Sequence, residues 1–286
     1  MTNTHWNTGS LQKQNARLPQ VLTGAEGAWQ VAPSRLATAA DVFEPISLKE
    51  MDAVALLNRI DTKFVLTTAQ LLWALTALQN DYRILEVQGQ RLNHYRTLYF
   101  DMPNFDLYNL HVNGRADRYK VRSREYTDSH LSFLEVKHKT RKDRTIKDRV
   151  LTAQPLLDVN REAEQWLHGV FPYESSLLEA KIWNTFTRLT LVSKHYCERV
   201  TLDVDLTFYR NDKVERLDGI AIAEVKLEAQ DQTSPFLEQM RAQRIRPQGF
   251  SKYCIGVSML YDHVKKNALK PQLLRLEKMT TGVFHE

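Results

Sequence analysis

Charged and apolar residues alternate with period two along four stretches of this chain: Arg59, Asp61, Lys63; Lys120, Arg122, Arg124; Glu135, Lys137, Lys139; and Glu224, Lys226, Glu228. Side chains of an extended strand alternate between faces, so each set projects from one side, while Val121, Val136, Val225 and Leu227 belong to the other. From Tyr82 to Glu135 the pattern is of strands, broken by Gly89, by Asp101 to Asn104 and by Asn113-Gly114. A hairpin is predicted over Arg188 to Tyr196 and Arg199 to Tyr209. Its second strand carries Val200, Leu202, Val204, Leu206 and Phe208 on one face, and Arg199, Thr201, Asp203 and Asp205 on the other.

Helical spacing predicts a helix from Thr68 to Leu78, and further helices over Pro155 to Phe171, Ser176 to Thr187, Pro235 to Arg244 and Ser251 to Tyr261. Ser47 followed by Glu50 is a capping box that opens an amphipathic stretch through Leu57. Residues 1–42 lack a sustained period and are expected to form a flexible or loosely attached arm, with Trp6 and Trp29 as candidate anchors. The organised domain is expected over 43–265, with 266–286 as a tail. The expected class is α+β: an antiparallel β-barrel tunnel with short helices packed around it and at its ends.

Composition narrows what such a tunnel holds. The net charge of +5 among 286 residues is only moderately basic, so the cationic strands are a local concentration and not a coat for nucleic acid. Like charges repel when directly opposed on neighbouring strands, so a shared basic face makes physical sense with an anion lying against it. The two cysteines, Cys197 and Cys254, suit neither a disulfide framework nor a zinc site and indicate a reducing compartment. No apolar run has the length of a membrane span and no signal-peptide core is present, so a soluble, cytoplasmic protein is expected.

A succession of motifs resembles the vacuolar transporter chaperone (VTC) domain, a member of the triphosphate tunnel metalloenzymes. These are Arg59-Ile60-Asp61-Thr62-Lys63-Phe64; Tyr99-Phe100-Asp101 with Tyr108; Lys120 to Tyr126; Leu134 to Lys139; Lys147-Asp148-Arg149; Arg199 to Asp203; Ala223 to Lys226; and Phe250-Ser251-Lys252-Tyr253. The resemblance implies an antiparallel tunnel, a divalent metal, Mn²⁺ or Mg²⁺, and a triphosphate or polyphosphate ligand. Its eukaryotic members polymerise polyphosphate from the terminal phosphate of ATP.

On that resemblance Lys63, Arg122, Arg124, Lys137 and Lys252 are the candidate catalytic residues. Arg59, Lys120, Lys139, Lys147, Arg149, Lys194, Arg199 and Lys226 are the candidate phosphate ligands. Glu224 is the candidate metal ligand; Glu135 either assists it or orients neighbouring lysines, and Asp61 either adds a ligand or pairs with its flanking cations. Asp203 and Asp205 either form a metal pair or, for Asp205, end the paired region of the strand. The family carries an arginine just after a tyrosine on the strand before Arg199. This chain reads Ser193-Lys194-His195-Tyr196 there, leaving Lys194 or His195 as substitutes.

Phosphoryl transfer asks chiefly for phosphates held in line and neutralised, which planar arginine forks and lysine point charges supply. The function expected is a metal-dependent polyphosphate polymerase using ATP. The alternatives are hydrolysis of inorganic or nucleoside triphosphates, and noncatalytic binding of polyphosphate or nucleotide. Any membrane or exporter partner would be a separate protein. Tyr99, Phe100, Tyr108 and Tyr126 are read as packing or tunnel-wall residues, and His94, His111 and His138 as surface or satisfied histidines.

Overall fold

The computed structural model describes residues 33–53, 59–142, 144–228 and 233–281; Trp6, Trp29, Leu57 and the Arg59 side chain lie outside the described residues. In chain order the elements are α1 (Pro33–Asp41), β1 (Glu44–Ile46), α2 (Leu48–Ala53), β2 (Arg59–Thr67), α3 (Thr68–Ala77), β3 (Tyr82–Leu85), β4 (Asn93–Asp101), α4 (Asp106–Val112), β5 (Arg118–Tyr126), β6 (Leu131–Lys139) and β7 (Thr145–Thr152). There follow α5 (Arg161–Leu167), β8 (Glu179–Ser193), β9 (Glu198–Arg210), β10 (Lys213–Leu217), β11 (Ile220–Glu228), α6 (Pro235–Ala242), α7 (Lys252–Leu260) and α8 (Lys270–Thr281).

Side-chain caps set the helix starts. Glu50 accepts the Ser47 N–H at 2.9 Å while Ser47 Oγ accepts the Glu50 N–H, completing the box read from the sequence. Thr67 and Gln70 form a second such box at α3, and Asn160, Ser234 and Ser251 cap α5, α6 and α7.

The strands form one mixed α+β sheet system whose antiparallel path runs β2-β11-β9-β8-β4-β5-β6-β7, with β10 added to β9, β3 to β8, and β1 parallel to β3. The barrel expected from the sequence does not close: among the described residues no ladder joins β2 to β7. The sheet curls instead into a trough. Its convex face carries two cores. Phe64, Leu66, Val200, Leu202, Ala223 and Val225 pack with buried residues of α1, α3 and α6. Val121, Leu134 and Val136 pack with Ala163 and Leu167 of α5. In the lower half of the concave face α7 lies against Val65, Ile182, Phe208 and Ile222.

Several elements differ from the sequence reading. Residues 179–187, read as helix, belong to the fifteen-residue strand β8, where ladders to β4 on one side and β9 on the other decide the backbone. The register between β8 and β9 jumps from Thr187 opposite Val204 to Thr185 opposite Thr207, placing one extra residue on β9; Asp205 there has φ of 55°. This bulge reverses the side-chain alternation. Val200, Leu202 and Val204 therefore pack on the convex face, while Leu206 and Phe208, assigned to the same side, turn inward to the core around α7.

Ordered structure also begins earlier than residue 43 and continues later than 265. Leu36 and Ala40 of α1 are buried beneath α3, and Leu276 and Met279 of α8 are buried against the α7 core. No helix of the described residues is long and apolar enough to cross a membrane.

The α7 contact is close because Gly256 has no side chain: a Cβ there would lie 2.6 Å from Ile182 Cδ1 and 2.6 Å from Phe208 Cδ1. Gly256→Val is expected to cost about 1–3 kcal/mol of overpacking and to lower Tm by roughly 2–12 °C. Thermal unfolding followed by circular dichroism checks this; an unchanged Tm would mean that α7 does not pack against β8 and β9.

Candidate functional site

The concave face gathers the period-two charges through strand register. Lys63 stands opposite Glu224, Asp61 opposite Lys226, and Lys226 opposite Arg199 on β2, β11 and β9. On the far wall Lys120 stands opposite Lys137, Arg122 opposite Glu135 and Arg118 opposite Lys139, and Lys137 in turn faces Lys147. Between the walls, Arg188 of β8 faces Asp203 of β9.

Three carboxylates hold this array together. Glu135, its side chain 1% exposed, receives Arg122 Nε and Nη2 at 2.6 Å each and Lys147 Nζ at 2.5 Å, with Arg124 at 3.9 Å. Asp203 receives a two-pronged bond from Arg188, at 2.5 and 2.8 Å, and a short ion pair from Lys252 at the start of α7. Glu224 lies 3.4 Å from Lys63 and 3.3 Å from Lys226. Burial opposes the charge of Glu135, but Arg122, Arg124 and Lys147 outweigh it and hold the carboxyl well below the usual range. The same balance lowers Glu224, through Lys226, Lys63 and Lys137. Asp203 is brought down to about 2 by Arg188 and Lys252.

Beside these clamps lies a cavity of about 1190 Å³, walled by the cations Lys63, Arg118, Lys120, Lys137, Lys139 and Arg144 and by two carboxylates, Asp61 and Glu224. Lys120 donates to Ser251 Oγ at 2.9 Å, a hydroxyl that also caps α7, and Lys63 donates to the Phe250 carbonyl. Burial and neighbouring cations push Lys120 down to about 7 and Lys137 down to about 8. His111, on the wall from α4, is driven down to about 2 by burial and by Lys120, Arg118, Lys63 and Lys137, so it is neutral. The place where protons are held most weakly is where a polyanion would restore them.

Most residues singled out from the sequence meet on this face: Asp61, Lys63, Lys120, Arg122, Arg124, Glu135, Lys137, Lys139, Lys147, Arg199, Glu224, Lys226 and Lys252. Lys194 does not. It lies in the β8–β9 turn and pairs with Glu44 of β1 at 3.1 Å. Arg188, six residues before Lys194 and not singled out from the sequence, does project onto this face opposite Asp203; the alternation Asn184, Phe186, Arg188 was its signal.

Arg149 sits at the rim over the Phe133 ring, 4.8 Å from its centroid. Asp203 and Asp205 do not form a metal pair, because the bulge turns exposed Asp205 away from Asp203. His94 and His138 bond Asp128 and Asp117 at 3.0 and 2.6 Å, while His111, Arg118 and Arg144 join the cavity wall without a motif to announce them.

Three expectations follow from the lysine-rich wall. Lys120 and Lys137 are partly neutral at pH 8 in the free protein, so an anion that charges them draws protons from solution. Binding of inorganic triphosphate at pH 8 is expected to take up protons, read as a dependence of calorimetric heat on buffer ionisation enthalpy; no uptake would contradict the low lysine values. The unfolded chain holds the Lys120 proton up to about 10.5 and the folded chain only to about 7, so ligand-free stability should rise between those pH values. Lys137→Ala removes a cation opposed by Lys120 and Lys147. It is expected to raise the Tm of the free protein while weakening triphosphate binding roughly 10- to 150-fold, the scale of one hydrogen bond to a charged group.

A comparison with solved structures matches a candidate adenylate cyclase from Bacillus halodurans, 11% identical, with a TM-score of 0.46 over 72% of this chain and 98% of that one. A candidate adenylyl cyclase from Hippeastrum, reported to have a dominant triphosphatase activity, is 14% identical, with a TM-score of 0.46 over 72% and 97% of the two chains. No curated protein sequence matches significantly. The model of the VTC domain matches residues 58–261, the span from the start of β2 to the end of α7 that builds the cationic trough, and the chain belongs to that family.

Proposed function

We propose that this protein is a metal-dependent polyphosphate polymerase that transfers the terminal phosphate of ATP to a growing polyphosphate chain lying in the concave face. The observation that carries the reading is a cavity into which six cations from three strands and one loop converge beside Glu224. Membership of the VTC domain family supports the same reaction class.

The chain's own residues have separable tasks. Lys63, Lys120, Lys137 and Lys139 neutralise phosphate oxygens, while Arg118 and Arg144 extend the same charge toward the mouth. Arg122 is held rigidly by Glu135, and Arg188 and Lys252 by Asp203, so these cations are already in place when the anion arrives. Glu135 thus serves as an orienting group, its oxygens committed to Arg122 and Lys147.

No group of three or more His, Cys, Asp and Glu side chains suited to a metal occurs among the described residues. The donor set still fits Mg²⁺ or Mn²⁺, because such ions bind through one or two carboxylates and complete their shells with phosphate oxygens and water. Glu224 would hold the ion, with Asp61 on the same cavity wall. The ion would add positive charge at the transferring phosphoryl group. The presence of Asp61 favours a second reading, hydrolysis of a triphosphate, since a carboxylate there can position water.

The test is incubation with γ-labelled ATP and Mn²⁺ or Mg²⁺, with products resolved by size. A ladder removed by a polyphosphatase is expected; free phosphate alone would move the protein to the hydrolases, and unchanged ATP to binding modules. Glu224→Gln is expected to reduce metal-dependent turnover roughly tenfold or more. Triphosphate binding in EDTA should be retained, because Lys63 and Lys226 lose a competing anion. Equal turnover in both proteins would exclude Glu224 as the ligand.

A further inference from the structure

Beyond Arg122 and Glu135, the inward positions of the far wall change from charges to rings. Tyr95 stacks on Phe186 with centroids 5.0 Å apart and planes 9° apart, Tyr126 lies 4.9 Å from Tyr95, and Phe133 lies 5.8 Å from Tyr126. This row starts in the core and ends at the rim. Phe186 and Tyr95 are buried, Tyr126 and Phe133 are half-buried, and beside them Leu131 and Leu151 are 47% and 54% exposed. Register puts Leu131 opposite Tyr126 and Leu151 opposite Phe133, so the four make one apolar ledge on the concave side.

Cations attend the row along its length. Arg188 and Arg124 lie 5.0 and 5.6 Å from the Tyr95 centroid, and exposed Arg149 lies 4.8 Å from that of Phe133. Arg124 stands directly opposite Phe133 in the register of β5 and β6. An inorganic polyphosphate has no use for exposed leucines and rings at the end of its channel. A nucleotide has: its base offers flat π faces, and stacking on aromatic and guanidinium planes is strong and tolerant of base identity.

We propose that this ledge is a nucleobase subsite. The base of a nucleoside triphosphate stacks against Phe133, Tyr126 and the Arg149 guanidinium, while its phosphates pass over Arg124 into the cationic trough. The proposal rests on the reading of that trough as a triphosphate site, and it makes a nucleotide, not inorganic triphosphate, the preferred small substrate.

The experiment is isothermal titration of ATP, UTP and inorganic triphosphate into the full chain in EDTA, which prevents turnover and which neither the rings nor the cations need to avoid. Phe133→Ala is expected to weaken ATP roughly five- to hundredfold and to leave inorganic triphosphate within about twofold. Phe133→Leu, which keeps apolar volume but removes the ring, guards against a folding defect and should show the same selective loss. Equal losses for ATP and triphosphate, or no loss for ATP, would overturn the base subsite while leaving the triphosphate site standing. Failure of all three ligands to bind the wild type would overturn both. A dimer of the wild-type chain that dissociates in Phe133→Ala, with nucleotide preference unchanged, would assign the ledge to a second copy and overturn the proposal.

Discussion

Repulsion among inward-pointing cations is the constraint around which this trough is arranged. Lysines and arginines on adjacent strands cannot share a partly buried face unless counter-charges are interleaved, and three carboxylates do this at separate places: Glu224 on the near wall, Asp203 on the floor and Glu135 on the far wall. Each holds at least two cations. Removing such a carboxylate would leave buried charge uncompensated, whereas each intact cluster fixes its cations in orientation. Lys120 and Lys137 are opposed to each other across β5 and β6 on the wall of the cavity, and burial lowers Lys120 further than the clamped Lys147 and Lys252.

The rest of the fold serves to keep these walls at a fixed separation although the sheet is open. Helix α7 does this from inside, and its own position depends on a buried carboxylate. Asp101 accepts backbone N–H groups of Met102, Leu107 and Tyr108 and the Tyr253 hydroxyl, joining the end of β4, the start of α4 and the first turn of α7. That places Ser251 under Lys120 and Lys252 beside Asp203, so the helix start links the far wall to the floor. On the convex side buried Glu198 accepts from Tyr82 and Ser234, tying β9 to β3 and to the cap of α6.

The face has a chemical direction. Its cavity end is cationic, with Asp61 and Glu224 as the local carboxylates. Its rim on β5, β6 and β7 is aromatic and apolar, with arginines laid on rings. Such a gradient suits an elongated ligand with unlike ends, and it gives a physical reason for the exposed leucines of β6 and β7.

Period-two alternation alone determined which faces of β2, β5, β6 and β11 carry charge, because a strand has no other way to distribute its side chains. The caps at Ser47, Thr67 and Ser251 are likewise local, set within three residues. The order of motifs was enough to place the chain in its family. Pairing partners were not legible. That Glu135 clasps Arg122 and Lys147, that Asp203 joins Arg188 to Lys252, and that Lys194 turns to Glu44 depend on contacts between distant segments. The bulge at Asp205 inverted half of β9, and residues 179–187 took strand form where a helix was expected, since in both cases ladders on either side decided the backbone. Alternation fixed what each strand offers; only tertiary packing, through register, bulge and the depth of α7, decided which offered charges meet and which are left for a ligand.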